Sequence, residues 1–232
     1  MARATQLERL QQLAEAATTT FGRLGYRRTH MADVTTAVGM SAGAVYTYVG
    51  SKEALFHLVF TSAFGPGLDR LPPLPLATPA PEETIRVISE GLRKRAGTPL
   101  LRAALHDDAP TDVRAELTAI IDERYSMIEG LWPVLAVIEA SASDLPALEE
   151  LYFQGGRRGH IGQLARYLDQ RAAGGFLRAM PDAAVAARIV TEAITWFAWH
   201  RRNDRDAALY DDGVARRTVI AFVCSALIEP GR

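Results

Sequence analysis

The chain reads as an all-α protein, and three observations predict it. Apolar residues recur at steps of three and four in nearly every readable segment. No stretch alternates with period two for long enough to suggest a sheet. Residues 29–56, THMADVTTAVGMSAGAVYTYVGSKEALF, read as two very short helices joined by a glycine turn, followed at once by another helix start. Helices that short bury too little surface to stand alone. Set at a fixed angle against a longer helix, they make a helix-turn-helix.

The first helix opens at Thr5, where Thr5 and Glu8 have capping-box spacing. Leu7, Leu10, Ala14, Ala17, Phe21 and Leu24 form its apolar stripe, and Gly22 and Gly25 end it. The second helix covers 31–38, with Met31, Val34 and Val38 inward. Gly39 supplies the tight turn. Ser41 is placed as the N-cap of the third helix, which runs to about Tyr48. Gly50 and Ser51 cap a fourth, whose stripe is Leu55, Leu58, Val59 and Ala63. Residues 65–81 hold six of the twelve prolines and read as a long loop at a domain edge. Helices are then expected over 82–96, from Thr98-Pro99, over 111–132 with Pro133 interrupting or ending it, and over 144–173 with glycines in its middle. Two strongly apolar helices, 182–202 and 212–227, complete the chain. The domain division expected is 1–50 for the helix-turn-helix and 51–232 for a helical body, with 51–64 as a bridging helix and 65–81 as a Pro-rich loop.

The bulk numbers narrow the class. At 232 residues, 48% hydrophobic and 23% charged, the composition is that of an ordinary soluble globular protein. The one cysteine, Cys224, allows no internal disulfide and sits in the apolar run VIAFVCSALI, as a small core residue would. No apolar run approaches the ~18 residues of a membrane span. The N-terminal MARATQLERLQQ lacks the apolar stretch of a signal peptide. A cytoplasmic protein with no membrane partner is expected. The first 64 residues carry six Arg/Lys and four acids, and the remainder 20 basic and 23 acidic residues. That asymmetry has the sign expected of a nucleic-acid-binding head on an acidic body.

Residues 5–60 resemble the DNA-binding domain of the tetracycline-repressor (TetR) family of regulators. The resemblance is carried by Phe21-Gly22, Gly25-Tyr26, Val34, Ala37, Gly39-Met40-Ser41, Gly43, Tyr46-Thr47-Tyr48, Ser51-Lys52-Glu53 and Leu55-Phe56. The chain departs from the usual family pattern at Val49, where Phe is common, and at Thr35 and Val38, where Ala is. The resemblance implies a three-helix DNA-binding domain followed by a helical ligand-binding and dimerisation domain.

The residues themselves agree with a DNA-binding role. Ala42 and Gly43 are small enough at the start of the third helix to let its backbone approach base edges. Thr47 lies one turn on, and Thr36, Ala42 and Gly43 suit small apolar or backbone contacts, thymine methyls included. Ser41 and the N–H groups it caps can meet a phosphate. Tyr46 and Tyr48 each present a ring and a hydroxyl. Lys52 begins a helix, where its charge opposes the dipole, so a phosphate is its natural partner. Arg28 and Thr29 precede the second helix and are placed at phosphates too. The partner is a double-stranded operator.

For the body, the resemblance implies that the last two helices pair with their twins in a homodimer. Val185, Ile189, Ile194, Phe197, Ile220, Val223 and Leu227 are placed at that interface. A two-fold dimer predicts a palindromic operator. The resemblance also implies a body gated by a small-molecule effector. Tyr125, Met127, Ile128, Trp132, Tyr152, Phe153, Trp196 and Trp199 would line a site for an apolar or amphipathic ligand. The expected activity is ligand-responsive regulation of transcription, most simply repression. The competing reading is an all-helical enzyme or small-molecule carrier with a non-functional helix-turn-helix. Against it stands the lack of a nucleophile elbow, a metal-spaced His/Cys set, a phosphate loop or a clear carboxylate pair in the sequence. No cofactor and no metal are expected. His106-Asp107-Asp108 reads as a solvated helix end, since adjacent helical residues do not converge. Residues 200–206 read as a charged loop after an apolar helix. The run EELYFQG, 149–155, resembles the cleavage site of the viral protease used to remove purification tags.

Overall fold

The computed structural model describes residues 2–229 apart from Ala42, Pro66, Gly67, Asp69, Pro81 and Asp108, with side chains from residue 4 onward. It is helical, with no strand longer than one isolated bridge among the described residues. The chain divides into two compact units, 1–95 with 133–153 and 96–132 with 154–232.

The first unit begins with α1 (Ala2–Arg28), α2 (Met31–Ala37) and α3 (Lys52–Phe64). α1 is already helical at Ala2, so Thr5 lies inside it and does not cap it. The first residues are good helix formers and extend it. Gly25 adopts φ 78, ψ 173, a conformation essentially restricted to glycine, and breaks the helix there. A Cβ at that position would stand 2.4 Å from the Ala140 carbonyl oxygen. Gly25 thus permits both the turn and a close approach by residues 133–142. The core joins Phe21, Tyr26, Phe56 and Phe60, with ring centroids about 5 Å apart along the edge-on contacts of Phe56. α4 (Glu83–Arg95) crosses close to α3, since a Cβ on Gly91 would overlap the Phe64 ring.

The Pro-rich segment does more than connect. Val49 and Leu76 form a parallel bridge. Gly50 N–H donates to Leu76 O at 2.8 Å, and Leu76 N–H donates to Tyr48 O at 2.7 Å. The Thr78 hydroxyl adds a 2.8 Å bond to the Ser51 hydroxyl. Backbone groups beside the helix-turn-helix are satisfied from a segment that reads in the sequence as a plain loop.

The second unit holds α5 (Pro99–Ala104), the first part of α6 (Val113–Ala142), α8 (Gly159–Ala173), α9 (Ala183–Ala198) and α10 (Asp212–Leu227). α8 packs on α9 and α5, and α10 packs on α9. Its core includes Leu117, Ile121, Tyr125, Leu164, Tyr167, Val190, Ile194, Val219, Val223 and Leu227. Arg171 is buried there, and all three nitrogens of its guanidinium donate. It bonds both Glu116 carboxylate oxygens at 2.8 and 2.9 Å and the carbonyls of Ala104 and Asp107 at 2.8 and 2.9 Å.

Two expected helices differ. α6 does not end at Pro133 but continues through it to Ala142. Burial of Leu131, Val134, Leu135, Val137 and Ile138 on either side outweighs the backbone bond that the proline removes. The expected 144–173 helix is instead α7 (Pro146–Glu149), a π-helical stretch (Glu150–Arg158) and then α8. Gly155 and Gly156 lack the side chains that enforce tight α winding, and the wide turns fall on them. α9 ends at Ala198, and a 3₁₀ turn (His200–Asn203) follows it.

Candidate nucleic-acid interface and the helical body

The third element of the helix-turn-helix is a short 3₁₀ turn, Ala44–Thr47, rather than an α-helix from Ser41 to Tyr48. The N-cap position of this turn is Gly43 and not the expected Ser41, although the Ser41 hydroxyl accepts from Ala44 N–H at 3.2 Å. Gly39, at φ 63, makes the turn before it. Val34, Val45 and Val49 are fully buried beneath, anchoring the pair on α1 and α3. What remains outside is a face of small and polar groups. Thr36, Ser41, Gly43, Tyr46 and Thr47 are exposed, and Tyr48 is half-buried. A Cβ on Gly43 would meet nothing within 4 Å, so that stretch of backbone is open to an approaching surface. Tyr46 is 51% exposed and therefore no part of the core. Ala42 lies outside the described residues.

The expected phosphate contacts divide. Arg28 is exposed, its Nε donating to Leu24 O. Thr29 is buried and its hydroxyl is committed to Gly25 O at 2.8 Å. That corrects its placement at the surface: Thr29 locks the α1–α2 turn. Lys52 stands at the first position of α3, but its Nζ donates to Arg27 O at 3.2 Å and sits 4.6 Å over the Tyr26 ring. Partial burial lowers its pKa. Beside it the Tyr26 hydroxyl donates to Glu53 at 2.9 Å, and burial together with that carboxylate pushes the phenol up to about 12. The same turn is clamped by Asp144, which accepts Arg27 N–H at 2.8 Å. No local sequence signal marks Asp144, because it lies 117 positions along the chain.

In the body, Tyr125, Ile128 and Trp199 are buried, Met127 and Trp132 are half-buried, and Trp196 is exposed. The Tyr125 hydroxyl donates to Phe197 O at 3.2 Å. Tyr152 and Phe153 stack edge-on within the π-helical stretch and belong to the first unit.

Of the residues placed at a dimer interface, Ile194, Val223 and Leu227 are buried inside the protomer, a correction to that placement. Phe197 and Ile220 are half-buried. Val185 and Ile189 are more than half exposed, and Trp196, Val214 and Phe222 join them on the outer faces of α9 and α10. Residues four apart share a face, so Val185 and Ile189 lie outward together while Val190 and Ile194 lie inward, and on these apolar helices hydrophobicity alone does not say which face turns in.

None of the described helices is long and apolar enough to cross a membrane. Among the described residues no group of three or more His, Cys, Asp or Glu could hold a metal ion.

Residues 13–59 match the family model of bacterial regulatory proteins of the tetR family. A helix-turn-helix transcriptional regulator of Bacillus subtilis strain 168, itself uncharacterised, is 38% identical over 64 residues. That stretch is 28% of this chain and only 31% of the relative. The ketosteroid transcriptional regulator KstR2 of Mycobacterium tuberculosis is similar over 96% of both chains, with 16% identity and a TM-score of 0.55. A transcriptional regulator of Saccharomonospora viridis, solved in complex with choline, is similar over 96% of this chain and 99% of that one, with 16% identity and a TM-score of 0.53. At that identity the shared property is the fold.

Proposed function

Since residues 13–59 are a helix-turn-helix of the tetR family, we propose that this chain is a ligand-responsive DNA-binding transcriptional regulator and not an enzyme. In this reading it acts as a repressor, binds a palindromic operator as a homodimer, and leaves it when a small apolar or amphipathic molecule binds the helical body. The observation that carries the reading is the exposed face of Thr36, Ser41, Gly43, Tyr46 and Thr47 over the buried Val34, Val45 and Val49. It offers backbone, hydroxyls and phenols to base edges and phosphates. The dimer is supported by the apolar side chains left outside on α9 and α10. Release follows if the effector prefers the dimer geometry that misaligns the two heads.

The test is binding to the intergenic DNA beside the gene, against a scrambled duplex, at two salt concentrations. A specific, salt-sensitive complex with two protomers per site is expected. Gly43→Leu should abolish specific binding while leaving the thermal transition in place, because its side chain meets nothing in the protein. Specific binding that survives Gly43→Leu would remove this turn from the groove.

A further inference from the structure

α8 presents one inward stripe, and two of its members are polar. His160, Leu164, Tyr167, Leu168 and Arg171 recur at steps of three and four and are all buried. The two polar residues are treated in opposite ways. Arg171 donates from all three of its guanidinium nitrogens, to Glu116, Ala104 and Asp107. His160 is 8% exposed, and neither of its ring nitrogens has a hydrogen-bond partner. A buried imidazole must hold a proton on at least one nitrogen, and a donor without an acceptor is costly in an apolar interior. An apolar residue would satisfy the periodicity without that cost.

The surroundings add positive charge to that spot. Arg124 of α6 lies near enough for its positive charge to disfavour a proton on the ring, which burial and that charge together bring down to about 3. The π-helical stretch ends at Arg158, two residues before His160, so its wide turns set the rotational phase that turns the ring inward. π-helical turns recur at functional sites because they aim a side chain that regular winding would not. Apolar residues of α6, α8 and α9 make up the rest of this core, among them Tyr125, Ile128, Leu164 and Ile194.

We propose that His160, with Arg124, is the polar anchor of an effector site in the second unit, and that it takes an amphipathic molecule bearing a carboxylate. The carboxylate accepts from the imidazole and faces the guanidinium, and the aliphatic or aromatic remainder lies among the apolar residues. This assignment rests on the effector-responsive reading above and narrows its ligand class.

Decanoate and decanol, used below micellar concentration, share a chain and differ in the head group. Titration calorimetry on the full protein should show decanoate binding at least tenfold tighter than decanol, with the preference lost in His160→Leu. If that variant does not fold, histidine NMR of the wild type decides. Burial brings the His160 imidazole down to about 3, and decanoate, but not decanol, should move its resonance. Equal binding of acid and alcohol, binding of neither, or an acid preference that persists in His160→Leu would overturn the assignment. Operator binding is measured separately. Selective decanoate binding without any effect on DNA would leave the site standing and remove the ligand-gated reading instead.

Discussion

Gly25 has little freedom to change. Its φ of 78 suits glycine, and the Ala140 carbonyl stands where a Cβ would go. Gly25→Ala should destabilise the fold by at least about 2 kcal/mol, read by urea denaturation, because left-handed strain and a backbone clash coincide. A loss within ~0.5 kcal/mol would mean that the close approach is absent in solution. The His160 ring carries a different signature. Its usual pKa of 6.5 falls to about 3 in the fold, so the folded state takes up its proton less readily than the unfolded chain. The resulting stability is complete above pH 6.5 and is lost as the pH drops toward 3. At pH 5 the loss is about 2 kcal/mol. Denaturation of wild type and His160→Leu at pH 7 and pH 5 checks this, the variant being expected to lose less. Gly25 was visible in the sequence as a helix terminator. Neither its partner carbonyl nor the burial of His160 was, because both depend on residues far along the chain.

Among the elements, the long amphipathic helices were readable to within a few positions, α10 at both ends. Local periodicity decides such helices, and tertiary packing only confirms them. The departures occur where packing overrides local preference. α6 continues through Pro133 because its flanking residues are buried, and the turn at Ala44–Thr47 tightens to 3₁₀ geometry over four residues. The expected 144–173 helix fails for the opposite reason: its glycines offer no side chain to hold α winding. That segment also contains the EELYFQG run. A protease must bind its substrate extended, so native protein should resist cleavage after Gln154, and mild urea should speed it in step with local opening. Gel analysis over an hour reads this directly. Prompt cutting in buffer would argue that the segment is not held in helical form.

At the scale of the whole molecule, the all-α class was legible from helical spacing along the whole chain, and the position of the head from short-range patterns within the first 64 residues. The outward face of the last two helices was not. The sequence names apolar residues all round them, and only burial separates Ile194, Val223 and Leu227 from Val185, Ile189 and Phe222. If the exposed set joins two copies, Ile189→Glu with Phe222→Asp should shift the protein from dimer to monomer in sedimentation at micromolar concentration. Neither residue belongs to the protomer core, so the thermal unfolding of each chain should remain cooperative. A dimer that survives both changes must be held elsewhere. The pairing of Gly25 with Ala140 and of Arg27 with Asp144 has a further bearing on protein engineering. A chimera that grafts this helix-turn-helix head onto another helical body, joined just after α3, would leave behind the chain that seals its first turn. The seam of a working hybrid has to carry residues 133–144, the end of α6 together with Asp144, along with the head, or redesign the surface that this segment covers.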